Sequence, residues 1–598
     1  MGGRLLAGVI AAVLLVGASS AQARCNLTEL ASLPVHMDGL RPLVDAKVNG
    51  HATRLVADSG AFFSTLSAED AKKFDLKALP VRWVLVQGLS GAVMAKIQTA
   101  QEFSVLGHSF RNLDFVAAPE SFWWSVSGLL GQNFLNVTDT EYDLSKGVIR
   151  FFHVDDCKDQ TLAYWDVGAP YSVIPIRKTG QKRDIIGKVS VNGVELNAQF
   201  DTGTAYSVLS MKGAARAGIK KGDPRLKPGG VSSGIGWRLN QTWIAPVDSF
   251  KIGDEEIRQT GLRVTEFELP DADMLIGADF FLSHHILVAN SQQQLYLTYN
   301  GGPVFKLEVI PDTKGDEAKT PPAGARAVAS APAEVGPDPK DADGFVRRAE
   351  ASAARRDYAA ALADFDHALA LAPKDPAILY ARARTKIAKD DTKAALADLD
   401  EALKAKPNDV DMLMVRGQVR LKEKQLALAK ADFDMAKSRD PDQASTVAAA
   451  YDAEEDYADA VAEYDERLRA ARAADDKAAL LQARCWARAE WNHELDKALA
   501  DCDASDHVSS WRRTAGFTRG LLYLRLGRYA DAIRELSMAI RAQPRLSLAI
   551  YLRGVAKIRT GKAAEGETDI KAAMAIEPKV GDRAKAYGLA AQPADAKS

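Results

Sequence analysis

The sequence predicts a multidomain chain in which two tandem all-β lobes precede an all-α repeat solenoid. Three observations predict it. Residues from about 30 to 305 are rich in Val, Leu, Phe, Thr and Gly and carry short alternating apolar runs. Two stretches of that region repeat one another around Asn-Gly dipeptides. After Gly344, prolines recur at a fixed interval within sequence rich in Ala, Leu, Asp, Lys and Arg that has helical spacing.

The alternating run from Ile185 to Phe200 reads as two strands around Asn192-Gly193, a pair suited to a two-residue turn that needs positive φ at both positions. An upstream copy turns on Asn49-Gly50. Nine residues after each asparagine comes an aspartate. Asp58 opens Asp58-Ser59-Gly60-Ala61, followed by Ser64 and Ser67; Asp201 opens Asp201-Thr202-Gly203-Thr204, followed by Ser207 and Ser210. Downstream, Leu129 to Leu135 (LLGQNFL) matches Leu275 to Phe281 (LIGADFF), which places Gly131 and Gly277 at like distances from the aspartates. Internal duplication explains all three coincidences and gives lobes over residues 30–155 and 165–305.

Residues 308–343, dominated by Ala, Pro, Asp, Lys and Gly, carry neither periodicity and read as a flexible linker. In the helical part, Pro373, Pro407 and Pro441 are 34 residues apart, as are Pro544 and Pro578. Five residues before each proline stands an alanine (Ala368, Ala402, Ala436, Ala539, Ala573), and eight before stands a bulky residue (Phe365, Leu399, Phe433, Leu536, Ile570). Twelve before come Ala361, Ala395, Ala429, Ala532 and Gly566, small enough for paired helices to approach closely. This pattern resembles the tetratricopeptide repeat, over residues 344–580 and about seven helix pairs, with degenerate copies centred on Ala460 and Ala498. The resemblance implies a concave groove for peptides or partner proteins. It also sets Cys485 and Cys502 facing one another across a helix pair, either as a disulfide or as two buried thiols. Cys25 and Cys157 remain as a second candidate pair, between the mature amino terminus and the junction of the lobes.

The duplicated Asp-Ser/Thr-Gly segments, each with a later apolar-apolar-Gly, resemble the retropepsin and pepsin superfamily of aspartic proteases. The resemblance implies that Asp58 and Asp201 are catalytic. Two carboxylates held about 3 Å apart share one proton, so one acts as base on a water while the other hydrogen-bonds the scissile carbonyl. Neither metal nor cofactor is required. It further implies that Ser59 and Thr202 grip the opposite lobe, that Gly60 and Gly203 admit backbone beside the carboxylates, and that Gly131 and Gly277 lie on a strand behind the active-site loops. Ser59 replaces the commoner threonine, keeping the hydroxyl and losing a methyl. Substrate-covering flaps are expected at Gly88-Leu89-Ser90-Gly91 and at Gly229 to Trp237, with Ser90, Gly91, Gly234 and Trp237 as candidates.

The amino terminus places Arg4 before an apolar run of 13 residues, Leu5 to Gly17, and then Ala21-Gln22-Ala23. That is the form of a secretory signal peptide over residues 1–23, and the run is shorter than the ~18 residues of a spanning helix. Export makes a periplasmic or secreted location the expectation, with disulfides permitted. A balance of 77 basic and 79 acidic residues without charged blocks argues against nucleic acid as a partner. Ser232 within G-x-S-x-G lacks the strand-turn-helix context of a serine hydrolase. His284-His285 would face opposite sides of a strand, which disfavours a metal site, and His493-Glu494 lacks the second histidine of a zinc protease. The expected function is an exported aspartic endopeptidase whose repeats recruit protein substrates or partners. The alternative is a non-catalytic envelope scaffold that binds peptides and works through its repeats.

Overall fold

The computed structural model describes residues 25–118, 126–158, 160–165, 170–177, 184–232, 234, 240–305, 338–472, 474–508, 516–542 and 546–590. The segment read as a signal peptide, nearly all of the linker and Trp237 lie outside the described residues. The chain divides into two compact units, 1–373 and 374–598.

In the first unit each lobe is a sheet that curls back on itself. The first lobe runs in the order His36–Asp38, Arg41–Val48, His51–Ala57, Gly128–Leu130, Thr65–Ser67, His108–Ala118, Gly91–Val105, Lys77–Gly88, and a further pairing of Lys47 with Ser104 closes it. The second lobe repeats the plan from Ile186–Val191 and Val194–Phe200 through Met274–Ile276, Val208–Ser210, Glu255–Thr265 and Asn240–Ile252 to Lys227–Ser232, closed by Val189 against Ile252. Both Asn-Gly turns form as the sequence requires, with φ of 49° and 85° at Asn49 and Gly50 and 50° and 79° at Asn192 and Gly193. Positive φ at both central residues matches the twist of the flanking strands.

A third sheet joins the lobes. It orders Asn26–Pro34, Val148–Asp155, Asp139–Asp143, His284–Ala289, Gln294–Tyr299 and Ser172–Pro175, and its seam is the short pairing of Thr140, Glu141 and Tyr142 with Val288, Leu287 and Ile286. Cys25 and Cys157 are disulfide-bonded beside this sheet. One apolar core runs through both lobes, from Val44 and Phe103 to Phe200 and Phe280. It also takes in Ala351 of the helix Ala342–Ala354, so this first helix of the repeat region, which pairs with Tyr358–Leu371, packs on the lobes. That helix meets the lobes through Glu350 on His36 and through Arg355 on the Leu282 carbonyl.

The second unit holds, among the described residues, six further helical pairs and the terminal helix Val580–Ala586. Their period-34 alanines and knobs are buried as expected: Ala395, Leu399, Ala402, Ala429, Phe433, Ala436, Ala532 and Leu536 are all fully enclosed. Gly417 faces Phe433 so closely that an added Cβ would sit 2.5 Å from its ring. Cys485 and Cys502 form a disulfide across one pair.

Candidate active site

Each candidate aspartate sits at the end of a strand that has just left the core. The backbone N–H of Asp58 donates to Leu130 O, and that of Asp201 to Ile276 O, so the strands Gly128–Leu130 and Met274–Ile276 fix both loops from behind. Gly131 and Gly277 follow directly. A Cβ on Gly131 would lie 2.6 Å from the Phe63 carbonyl carbon and one on Gly277 2.6 Å from that of Tyr206, so only glycine fits under each loop.

The two loops meet tip to tip. Asp58 Oδ1 accepts from Gly60 N and Ala61 N, both at 2.8 Å, and Asp201 Oδ1 accepts from Gly203 N at 2.9 Å and Thr204 N at 3.2 Å. The two side chains are close enough to hydrogen-bond each other. Gly60 lies against the opposing carboxylate, where a Cβ would be 2.3 Å from Asp201 Cγ; Gly203 mirrors it at 2.2 Å from Asp58 Cγ. Burial, then the neighbouring Asp201, push the Asp58 carboxyl well above its ordinary range. Two such groups hold one proton between them and titrate as a pair.

Ser59 and Thr202 lock the tips together. Thr202 Oγ1 donates to Ala57 O at 2.6 Å and accepts from Ser59 N at 2.9 Å, while Ser59 Oγ donates to Phe200 O at 2.9 Å and accepts from Thr202 N at 2.9 Å. All of these groups are buried, so each bond satisfies backbone that water cannot reach. Ser59 makes the same two bonds as Thr202, and the missing methyl removes none of them.

The expected first flap is the tip of the hairpin Lys77–Gly88 and Gly91–Val105, with Gly88 paired to Gly91. It reaches the second lobe. Leu89 packs with Val208, Phe267, Leu269 and Leu275, Ser90 Oγ accepts from Gly234 N at 2.9 Å, and Asn240 Nδ2 donates to Leu89 O at 2.8 Å. The tip Gly88 to Gly91 thus meets Gly234 and Asn240 of the second lobe.

Sequence reading missed two charged arrangements. His285 and His284 do face apart as expected, yet His285 Nε2 lies 3.1 Å from Glu141 across the lobe seam, with Asp143 close by. Arg150 is bonded to Glu141, Lys146 lies 3.3 Å from Asp143, and Trp165 stacks on His285. The carboxylates there are already paired with cations. In the repeats, Arg348–Asp364, Arg382–Asp398, Arg416–Asp432 and Arg553–Asp569 form fork-on-carboxylate pairs, each 16 residues apart. Arg348, Arg382 and Arg416 recur every 34 residues, in step with the alanines.

Residues 44–134 and 187–280 match a family model described as aspartyl protease, and residues 352–419 and 517–578 match two models described as tetratricopeptide repeat. A search of curated proteins finds no match. The chain therefore carries an aspartyl protease domain, split over two lobes, followed by tetratricopeptide repeats. A protease-like hydrolase with a protein-interaction module is the class these domains define. No helix among the described residues is long and apolar enough to cross a membrane.

Proposed function

We propose that this protein is an exported aspartic endopeptidase that hydrolyses peptide bonds between its two lobes, with the repeats delivering protein substrates or partners. One observation carries the reading: the Asp58 and Asp201 side chains lie within hydrogen-bonding reach, each carboxylate seated on two backbone N–H groups and pressed against the glycine of the opposite lobe. Such a pair binds a water between a base and an acid, so attack on a carbonyl needs no covalent intermediate. The amino-terminal sequence supports export, and the two disulfides suit an oxidising compartment.

Incubation of the purified full chain with casein and a proteome-derived peptide library, from pH 3 to 8, tests the reading. Cleavage that is lost in both Asp58→Asn and Asp201→Asn supports it. Absence of cleavage at every pH, or cleavage that survives both substitutions, refutes it; the first result favours the peptide-binding scaffold.

A further inference from the structure

The helix Ala342–Ala354 is held at its two ends by different chemistry. Toward its amino terminus it meets the strand His36–Asp38 of the first lobe, where His36 Nδ1 lies 3.0 Å from Glu350 Oε2 and His36 Nε2 lies 3.9 Å from Asp343 Oδ1. Both ring nitrogens therefore face a carboxylate. A neutral imidazole carries a proton on one nitrogen only, whereas the imidazolium carries one on each and can serve both acceptors. The side chains of His36 and Glu350 are 22 % and 19 % exposed, so salt and water screen this pair weakly. Toward its carboxy terminus the helix buries Ala351 in the shared core, and Arg355 Nη1 donates to Leu282 O of the second lobe at 3.4 Å. A guanidinium keeps its charge at every physiological pH, so that end does not titrate.

We propose that His36, Glu350 and Asp343 form a proton-gated latch, which seats the amino-terminal part of the first repeat helix on the first lobe when the imidazole is charged and releases it when the imidazole is neutral. The remaining charges around His36 are already engaged. Asp343 is shared with Arg347 one turn further along the helix, Asp38 is bound by Arg41, and Asp45 of the strand Arg41–Val48 pairs with Arg54 at 2.9 Å. Burial works to lower the imidazole, but the hydrogen bond and charge of Glu350, followed by the charges of Asp343 and Asp45, outweigh it and hold His36 above its ordinary value. A base raised in the folded state adds stability that is complete below its unfolded value near 6.5 and is lost as pH rises through the raised one. The latch thus closes in mild acid and opens toward alkaline pH, while Ala351 and Arg355 keep the other end of the helix in place.

The test uses the full chain and needs no cleavage activity. Histidine labelled with ¹³C at Cε1 gives the titration of each imidazole, and the signal lost in His36→Gln identifies His36. Hydrogen exchange of peptides covering residues 342–350, corrected for the intrinsic pH dependence of exchange, reads the seating at pH 6.0 and 8.0. Protection should be about tenfold greater at pH 6.0, the worth of one hydrogen bond to a charged group, while that of Tyr358–Leu371 stays level. In His36→Gln the difference should vanish, leaving at both pH values the protection that the wild type shows at pH 8.0. Glu350→Gln should lower the His36 titration and shrink the difference. The latch is overturned if His36 titrates at or below an ordinary histidine, or if wild-type protection over 342–350 is the same at both pH values. A pH difference that survives in His36→Gln, or a loss in that variant that is equal at both pH values, overturns it as well, the latter showing a contact that is structural and not proton-gated.

Discussion

Replacing Asp279 with asparagine should stabilise the second lobe at neutral pH and do nothing for it in acid. Asp279 Oδ1 accepts from Ser207 N at 2.8 Å, Ser207 Oγ at 2.7 Å and Phe280 N at 2.9 Å, in a site only 4 % exposed. The first lobe has Asn133 at the matching position, accepting from Ser64 N and Oγ at 2.8 Å each, so the same task is performed there without a charge. Burial pushes Asp279 up to about 6 although Ser207, Phe280 and Arg263 all pull it down. A carboxyl raised in the folded state adds stability that is complete below its unfolded value near 4 and is lost as pH rises through about 6. A shift of roughly two units corresponds to about 3 kcal/mol forfeited at neutrality. An asparagine forfeits none of it but must find an acceptor for its amide, which leaves a gain of about 1–3 kcal/mol at pH 7.5 and none at pH 4. Met274, fully buried in the neighbouring strand, reports the local transition. Its rate of peroxide oxidation across a urea series, read by mass spectrometry at both pH values, gives the unfolding midpoint. An Asp279→Asn midpoint at pH 7.5 equal to or below that of the wild type would refute the reasoning.

Three further outcomes are expected. Thr202→Val keeps shape but strands Ala57 O and Ser59 N without partners, so urea unfolding of the lobes should lose about 2–5 kcal/mol, with Thr202→Ser recovering most of it; a loss under about 0.5 kcal/mol would show that the cross-lobe bonds contribute little. Gly203→Ala puts a methyl 2.2 Å from Asp58 Cγ, and the displacement of over about 1 Å needed to clear it should cut kcat by at least ~100-fold, whereas unchanged turnover would mean the carboxylates do not need this approach. Unreduced peptide mapping should recover Cys25 with Cys157 and Cys485 with Cys502, and the Cys485→Ser, Cys502→Ser double variant should lose about 2–4 kcal/mol in its repeats; free thiols in the native protein would contradict both pairings.

The turns, the duplicated aspartate loops and the helical period were legible because each is enforced by short-range chemistry: a left-handed turn at Asn49-Gly50, a glycine that alone fits beside a carboxylate, an alanine where two helices touch. What escaped is what depends on distant partners. Nothing local marks Glu141 and His285 as neighbours, since 144 positions separate them, and their meeting is decided by how Asp139–Asp143 pairs with His284–Ala289. The packing of Ala342–Ala354 on the lobes is hidden for the same reason. Its alanines serve a repeat and a lobe contact equally well, and Ala351 is buried by residues far upstream.

The seam explains why so many unrelated contacts converge on one geometry. Three residue pairs of sheet are a weak hinge for two lobes whose carboxylates must be held within about half an ångström to share a proton and a water. Other contacts cross the same boundary. The Ser59 and Thr202 bonds fix the tips, and Asn290 on Thr138 O at 2.7 Å and Ser291 N on Asp139 at 2.8 Å extend the seam. The His285 cluster crosses it as well, with Nε2 3.1 Å from Glu141. Burial favours the neutral forms of Glu141 and Asp143, yet His285 and the basic residues beside them outweigh it and keep both carboxyls below their ordinary values. Depressed carboxyls add stability that is present above their unfolded values near pH 4 and is lost as pH falls through their lowered values, so the carboxylate side of this clamp weakens in acid. The helix Ala342–Ala354 then touches the first lobe at His36 and the second at Leu282, spanning the boundary from outside the sheet. Contacts of four different kinds therefore fail under different conditions, and none alone decides whether the aspartates meet.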